Sequence, residues 1–426
     1  MPKYDTSLRP WLVRRLEQIG KADIVAGIPC YNNQETIGHV AGMVSEGLHR
    51  HFPDKRSVII ISDGGSTDDS RELARETKGP PWQERIVTIY RGLPGKGSAL
   101  RAIFEASDRL EASACMVVDS DLRSITDEWV RHLMAPVVEH GYDFVAPIYT
   151  RYKYDGTITN NIVYNLTRSL YGRRIRQPIG GDFGLSGQMA RYYCSQDVWD
   201  TDIARYGIDI WMTTSALAAG YRICQAHLGV KVHDAKDPAT GLGPMFRQVI
   251  YTLFSLMEQN EMFWKTVQGS EPTEVFGVAD GHEPEAIDVN HGALCHAYRE
   301  GFDKFGAMWQ GVFTAHAFEK IKRAVGLPDS AFLIQSADWV EILYELAATF
   351  HHWPANRFKL LELATPLYNG RVASFINETR NMSSLEAEAI VELQAEAFEQ
   401  GKSILLQRWD QLPAPLHADA GTNRGA

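Results

Sequence analysis

The stretch Ala114-Cys115-Met116-Val117-Val118-Asp119-Ser120-Asp121 is an apolar run that ends in two carboxylates. A short apolar run of this kind predicts a buried strand of a parallel sheet. In an open α/β sheet, ligands bind beyond the carboxyl ends of the strands. Carboxylates at that place suit a hard divalent cation, Mg²⁺ or Mn²⁺, although Asp-x-Asp after a strand is also typical of a helix cap or a solvated turn. The neighbouring segments decide between these interpretations.

Three further apolar runs are predicted to be strands of the same sheet, and a polar cluster follows each one. They are residues 23–29, 57–62 and 86–90. After the first run, Tyr31 offers a ring face for a nucleotide base. After the second, Asp63 can accept the imide N–H of a uracil or the N–H groups of a guanine.

The third run leads to Lys96, which stands between two glycines at a predicted helix N-terminus. Free backbone N–H groups and the helix dipole favour an anion there. The spacing is not that of a Walker loop, and no Gly-x-Gly-x-x-Gly follows any predicted strand. A nucleoside triphosphatase or a dinucleotide enzyme is therefore not expected.

Four motifs form the core of a family resemblance: Pro29-Cys-Tyr-Asn-Asn33, Ser62-Asp-Gly-Gly-Ser-Thr-Asp68, Gly95-Lys-Gly97 and Asp119-Ser-Asp121. Together they resemble the glycosyltransferases of the GT-A fold. Within that fold they look most like family 2 and the retaining synthases of glucosyl-3-phosphoglycerate, glucosylglycerate and mannosylglycerate. Further similar elements follow in the same order, at residues 149–151, 155–159, 177–182, 206–209 and 231–233. One departure is Asp182, where these relatives usually carry Glu.

The resemblance implies an α/β protein with a GT-A (Rossmann-like) mixed sheet flanked by helices. It also implies a nucleotide-sugar donor and a divalent cation, Mg²⁺ or Mn²⁺, with Asp121 and His233 as the metal ligands. Lys96 would lie on the donor diphosphate, whose negative charge grows as the sugar–oxygen bond breaks. The other donor contacts are assigned to Pro29, Tyr31, Asp63, Asp119 and Ser120.

Two mechanisms compete for the transfer step. A retaining enzyme of the resembled group brings the acceptor to the face from which the phosphate departs, and the resemblance implies that the backbone carbonyl of Ile179 helps to position it. An inverting enzyme needs a general base, and Asp182 and Asp209 are the candidates. Both carboxylates are equally able to bind sugar hydroxyls, and retention is favoured on the resemblance alone. The resemblance assigns the acceptor to Arg151, Thr157 and Thr159.

Composition agrees with a folded enzyme that binds small molecules. The chain has 426 residues and a net charge of −10, so no overall basic field attracts nucleic acid. No apolar stretch reaches the roughly 18 residues of a membrane span. The five cysteines are odd in number and widely spaced, which fits reduced thiols and a cytoplasmic location.

The chain is predicted to fall into four parts. Residues 1–20 form an N-terminal helical arm, 21–235 the nucleotide-sugar and catalytic domain, 236–411 a mainly helical C-terminal domain and 412–426 a disordered tail. The C-terminal helices are expected either to pack over the acceptor side or to form a subunit contact, as in a homodimer.

The predicted function is transfer of a hexose from UDP-glucose or GDP-mannose to a small acidic acceptor, such as glycerate or phosphoglycerate, with retention. Three alternatives remain open. They are an inverting family 2 enzyme acting on a saccharide or lipid-linked acceptor, a sugar nucleotidyltransferase, and a catalytically silent nucleotide-sugar binding protein.

Replacing Arg151 by Ala should raise the Michaelis constant for the acceptor more than that for the donor, because the guanidinium is assigned to the acceptor carboxylate. Steady-state kinetics with each substrate varied in turn measure both constants. An unchanged acceptor constant would count against the assignment.

Overall fold

The computed structural model describes residues 4–233, 243–279 and 281–411. Its centre is a mixed eight-stranded sheet, and a separate pair of two-residue strands lies beside it. The strands are β1 (Ile24–Cys30), β2 (Ser57–Asp63), β3 (Glu84–Ile89), β4 (Ala114–Val117), β5 (Phe144–Thr150), β6 (Arg173–Arg174), β7 (Phe183–Ser186), β8 (Ile223–Val230), β9 (Glu271–Pro272) and β10 (Val275–Phe276).

The order across the large sheet is β10-β8-β5-β7-β4-β1-β2-β3. Strand β7 runs antiparallel to both of its neighbours, and all other pairs are parallel. The parallel strands therefore end at one edge of the sheet, and β7 begins at that same edge. Phe183 pairs with Val117 there, so the segment just before β7 lies beside the residues that follow β4.

Ten α-helices lie in the described part of the chain up to residue 264. They are α1 (Pro10–Ile19), α2 (Ile37–His51), α3 (Ser70–Glu76), α4 (Lys96–Arg109), α5 (Asp127–Val138), α6 (Tyr164–Tyr171), α7 (Gly187–Cys194), α8 (Ile208–Ala218), α9 (Gly243–Gln259) and α10 (Glu261–Trp264). Strands β1, β2 and β4 are buried along their whole length, as their apolar composition predicts for strands covered on both faces.

Beyond residue 290 the described chain is helical. The helices are α11 (His291–Val312), α12 (Ala315–Val325), α13 (Ser336–His352), α14 (Arg357–Thr379), α15 (Ser384–Gln400) and α16 (Lys402–Asp410). Helix α15 begins with the capping box that Ser383 and Glu386 predict. The predicted α/β class, with a mixed sheet and a helical C-terminal region, is confirmed.

The C-terminal helices pack directly on the segment around α6. The Tyr368 hydroxyl of α14 lies 2.6 Å from Oγ1 of Thr157, and the Trp339 indole N–H of α13 donates to the carbonyl of Asn161 at 2.7 Å. One hydrophobic cluster runs from α1 through the sheet to α16. The boundary between residues 235 and 236 stays a prediction, and the predicted tail 412–426 lies outside the described residues.

None of the helices in the described ranges is both long and apolar enough to cross a lipid bilayer.

A close backbone contact near the N-terminus of α4 generates a stability prediction. A Cβ at Gly97 would overlap the carbonyl oxygen of Ile203, so Gly97→Ala should lower the free energy of unfolding by about 1–3 kcal/mol. Gly38 is the matched control, because it is also the second residue of a helix. The nearest atom to a Cβ added at Gly38 is Oγ1 of Thr77 at 4.0 Å. Gly38→Ala should be neutral or stabilising by up to about 1 kcal/mol.

Urea denaturation measures both variants. Equal stability of the two would show that the contact between α4 and residue 203 carries no packing constraint.

Candidate active site

A cavity of about 270 Å³ lies at the edge of the sheet where the parallel strands end. Nine of the residues singled out from the sequence line it: Lys96, Asp119, Asp121, Arg151, Thr157, Thr159, Ile179, Asp209 and His233. The first and the last of them, Lys96 and His233, are more than a hundred residues apart in the sequence. The fold brings them together because strands β4, β5 and β8 end beside the first turn of α4.

Five other predicted residues do not line this cavity: Pro29, Tyr31, Asp63, Ser120 and Asp182. Pro29 is within β1 and is buried, and Tyr31 directly after that strand is 60% exposed. The exposed ring is free to stack, as a base contact requires.

Asp63 and Ser120 are engaged by the protein. Oδ1 of Asp63 accepts the N–H groups of Gly65 at 2.8 Å and Ser66 at 2.9 Å, so the carboxylate shapes the turn after β2. The Ser120 hydroxyl donates to Oδ1 of Asn33 at 2.7 Å and ties the end of β4 to the loop after β1. The predicted contacts of Asp63 and Ser120 with the nucleotide-sugar donor stay predictions.

Two lysines hold the carboxylate of Asp119. Lys96 Nζ lies 2.8 Å from its Oδ1 and 3.2 Å from the carboxylate of Asp209, and Lys231 Nζ lies 3.3 Å from its Oδ2. Burial alone would raise the pKa of Asp119, but Lys96 and Lys231 outweigh burial and lower it. Burial likewise opposes the charge of Lys96, yet Asp119 and Asp209 raise its pKa. Asp119 is therefore ionised throughout the physiological range.

Lys231 is the main residue that the sequence interpretation missed. Its side chain is 3% exposed and lies 2.9 Å from Oδ2 of Asp182, which is fully buried. Tyr149 donates its hydroxyl to the same carboxylate. The one signal was the position of Lys231 two residues before His233, in a motif noted for its resemblance and left without a role.

The first turn of α4 differs from the expected anion site. The N–H of Gly97 donates to the carbonyl of Arg205 at 3.2 Å, so it does not point freely into the cavity. The glycines that flank Lys96 serve close packing, because a Cβ at either would overlap the backbone of residues 203–205. The ammonium group of Lys96 remains the candidate phosphate contact.

Asp121 has the environment of a carboxylate that favours a cation. Burial and the charge of Asp119 raise the pKa of Asp121 by more than Lys231 and His233 lower it. Within the ranges that the structure describes, no hydrogen bond or ion pair reaches its side chain. A carboxylate and an imidazole beside open space for phosphate oxygens and water fit Mn²⁺ or Mg²⁺. Asp121 and His233 would hold such an ion.

His233 is oriented by a carboxylate. Its Nε2 lies 3.3 Å from Oδ2 of Asp155, which also lies 3.5 Å from Arg151. Burial alone would raise the pKa of Asp155, but Arg151 and His233 outweigh it and lower the pKa. Among the described residues, the one group of three possible ligands close enough to share a metal ion is His51, Asp127 and Glu128, and none of these lines the cavity. It must be distinguished experimentally.

The part of the cavity around Arg151 combines one guanidinium with apolar side chains. Arg151 lies over the ring of Tyr149 at 5.1 Å, and Thr157 is held by Tyr368. The apolar wall comes from Tyr154 and Ile158 together with residues of the C-terminal region, Met245, Val249 and Ile287. No motif indicated the part of this wall that comes from the C-terminal region, because Met245, Val249 and Ile287 lie outside every motif.

The carbonyl of Ile179 differs from those of its neighbours. The Pro178 carbonyl accepts the Thr213 hydroxyl at 2.7 Å, and those of Gly180 and Gly181 accept Lys231 and Lys96 at 2.8 and 3.5 Å. No partner for the Ile179 carbonyl lies in the described part of the chain. Ile179 itself lines the cavity.

Residues 26–193 match the family model described as Glycosyl transferase family 2. This region is a glycosyltransferase family 2 domain. It carries most of the lining residues, while Asp209, Lys231 and His233 lie beyond it. The resemblance inferred from the motifs is therefore confirmed at the level of the family.

Curated relatives of the family 2 domain include undecaprenyl-phosphate 4-deoxy-4-formamido-L-arabinose transferases of Yersinia pestis and Yersinia enterocolitica. Each is 29% identical over 181 residues, which is 42% of this chain and 50% of the relative. The chain thus spans about half the length of the curated relatives it matches.

Solved structures similar to this chain include glucosyl-3-phosphoglycerate synthase from Mycobacterium tuberculosis in two complexes. The complex with Mn²⁺, UDP-glucose and phosphoglyceric acid is 24% identical, with 59% of this chain and 86% of that chain covered and a TM-score of 0.43. The complex with Mg²⁺ and UDP is also 24% identical, with coverages of 59% and 84% and a TM-score of 0.43.

Manganese binding tests the metal assignment. In the presence of UDP or GDP, Asp121→Ala and His233→Ala should each weaken Mn²⁺ binding by at least about 10-fold, because each removes a ligand. Asp127→Ala is the control, since it disrupts the other cluster and should leave binding unchanged. Electron paramagnetic resonance of free Mn²⁺ reports the affinity. If only Asp127→Ala lost Mn²⁺ binding, the ion would be bound by the His51, Asp127 and Glu128 cluster, and the assignment to Asp121 and His233 would be wrong.

Proposed function

We propose that this protein is a metal-dependent glycosyltransferase that moves a hexose from a nucleotide-sugar donor, UDP-glucose or GDP-mannose, to a small acidic acceptor such as glycerate or phosphoglycerate, with retention. One observation carries the proposal. Residues suited to a donor diphosphate and its cation share a single cavity with a guanidinium suited to an acidic acceptor, at the ligand-binding edge of a family 2 domain.

The donor end is assigned to Lys96, Asp119, Asp121 and His233. A divalent ion bound by Asp121 and His233 would neutralise the diphosphate as negative charge develops on it. Lys96 adds a second positive charge, and its side chain is 15% exposed on the cavity side. Asp119, kept ionised by the two lysines, is suited to accept hydrogen bonds from hydroxyls of the ribose or the sugar.

Retention is supported by the surroundings of the candidate bases. Asp182 is fully buried and occupied by the Asp119 N–H, Lys231 and Tyr149, so it is poorly placed to take a proton from an acceptor hydroxyl. Asp209 is ion-paired with Lys96. The Ile179 carbonyl, in contrast, has no partner in the described part of the chain and would orient an acceptor hydroxyl beside the leaving phosphate. Asp209 lines the cavity and burial raises its pKa, so its carboxylate suits either the binding of sugar hydroxyls or the base of an inverting reaction.

The acceptor end is assigned to Arg151 and Thr159. Arg151 supplies the positive charge that a carboxylate or phosphate requires. Thr157 lies beside them, but its hydroxyl bonds to Tyr368, so its part is to hold the loop against α14. A cytoplasmic location and a homodimer remain predictions from the sequence.

A second candidate acceptor is a lipid-linked phosphate, with inversion. The names of the curated Yersinia relatives favour it, and so does the apolar wall formed by Met245, Val249 and Ile287. Apolar side chains at that position would suit a hydrocarbon chain next to a phosphate.

Donor and acceptor screening tests the proposal. UDP-glucose and GDP-mannose, each with and without Mn²⁺, are incubated with glycerate, 3-phosphoglycerate or undecaprenyl phosphate. The expected result is nucleoside diphosphate release that requires Mn²⁺ and an acidic acceptor, with an α-linked product by NMR.

Each other outcome contradicts a different part of the proposal. Turnover with undecaprenyl phosphate alone supports the second acceptor, and a β-linked product shows inversion. Pyrophosphate release from a nucleoside triphosphate and a sugar phosphate indicates a nucleotidyltransferase. Binding of a nucleotide sugar without turnover on any acceptor indicates a binding protein.

A further inference from the structure

Lys231 has no role in the proposed chemistry, yet its ammonium group is fully engaged. It lies 2.9 Å from Oδ2 of Asp182, 2.8 Å from the carbonyl oxygen of Gly180 and 3.3 Å from Oδ2 of Asp119. An ammonium group has three protons, and here there are three acceptors for them. Lys231 lines the cavity, but its side chain is 3% exposed and its three protons are taken by the protein, so it is poorly placed to recognise a substrate.

Asp182 is engaged in the same way. Its Oδ1 accepts the backbone N–H of Asp119 at 2.7 Å, and its Oδ2 accepts Lys231 and the Tyr149 hydroxyl. The backbone of Asp119 is therefore bound to Asp182 and its side chain to Lys231, and these two residues form one buried unit. A Cβ at Gly181 would overlap the carboxylate of Asp119, so the two segments touch without an intervening side chain.

This unit connects a group that the proposed function assigns to the donor with a group that it assigns to the acceptor. One is the carboxylate of Asp119, on the donor side. The other is the carbonyl of Ile179. The next residue in the same turn, Gly180, accepts a hydrogen bond from Lys231 at its carbonyl oxygen. Because Asp182 ends that turn, the segment is bound to Asp119 through Lys231 and Asp182 together.

The two lysines on Asp119 differ in how freely they can move. Lys96 faces the cavity with 15% of its side chain exposed, and it must approach the diphosphate if the proposed function is right. If Lys231 moved away, the buried carboxylate of Asp182 would lose its counter-charge, which is costly. Asp119 would thus keep one partner while the other moves to the donor.

We propose that Lys231 and Asp182 are positioning residues that act as one unit. They lock Asp119 to the 178–182 turn, so that the Asp119 carboxylate and the Ile179 carbonyl keep a fixed relation when Lys96 moves to the donor. The inference rests on the proposed function for the part played by Ile179. It assigns a purpose to a buried lysine and carboxylate whose polar atoms are bound by the protein itself.

Near-isosteric variants test the inference. Asp182→Asn removes the charge with little change of shape, and Lys231→Met removes the ammonium group at similar length. Each should lower kcat by about 10- to 100-fold, because a displacement of about 1 Å at a reacting group has effects of this size. Affinity for UDP or GDP, measured by calorimetry, should change less than about 3-fold, and the double variant should be no worse than Lys231→Met alone.

A matched pair controls for loss of stability. Asp338 is a buried carboxylate that lies 3.1 Å from Lys320, in helices that do not reach the cavity. Asp338→Asn and Lys320→Met should lower the melting temperature as the test variants do, with kcat unchanged. Lys96→Met is the contrasting variant, and it should weaken nucleotide binding.

Two kinetic outcomes would overturn the inference. One is a kcat for folded Asp182→Asn equal to that of the wild type. The other is a loss of nucleotide affinity in Lys231→Met as large as in Lys96→Met, with kcat retained, which would make Lys231 a donor contact.

Coordinates supply a readout that does not depend on activity. In a crystal structure of Asp182→Asn, the Ile179 carbonyl should be displaced relative to Asp119 by about 1 Å, well beyond the roughly 0.5 Å that a preorganised site tolerates. A superimposable site would refute the inference even if the proposed function holds. If the wild type transfers no sugar, the proposed function fails, and the displacement still decides whether the unit positions these two groups.

Discussion

The carboxylate of Asp119, held between two ammonium groups, is the interaction around which the rest of the cavity is arranged. Lys96 connects it to the first turn of α4 and to Asp209 at the start of α8. Lys231 connects it to the end of β8 and to Asp182 before β7. A buried carboxylate is costly unless it is paired, and a buried lysine is too. Each charge therefore requires the others, and four separate segments of chain converge on one point.

The antiparallel strand β7 makes this convergence possible. If β7 were parallel, the segment before it would lie at the opposite edge of the sheet, away from Asp119. Its reversed direction brings the 178–182 turn to the edge where β4, β5 and β8 end. The sheet thus supplies both the acidic residues that follow parallel strands and the backbone carbonyl that precedes an antiparallel one.

The C-terminal helices contribute to the same cavity. Helix α9 supplies Met245 and Val249 to the wall, and α14 holds Thr157 through Tyr368. The contact is reinforced by Arg168 of α6, which lies 2.9 Å from Glu399 of α15. Because one hydrophobic cluster runs from α1 to α16, the apolar wall of the cavity depends on how the C-terminal helices pack against the described part of the sheet domain.

The sequence by itself determined the strands β1 to β4, the sheet edge and the family, because apolar runs, polar turns and short motifs are local properties. It also picked out nine residues that line the cavity. Only the tertiary structure decided which charges meet: Lys96 and Asp209 are 113 residues apart, and Lys231 and Asp119 are 112 apart. The same holds for the enclosure of Asp182, the packing role of Gly97 and the apolar wall from α9. Such contacts depend on how distant segments pack, and no local pattern records that packing.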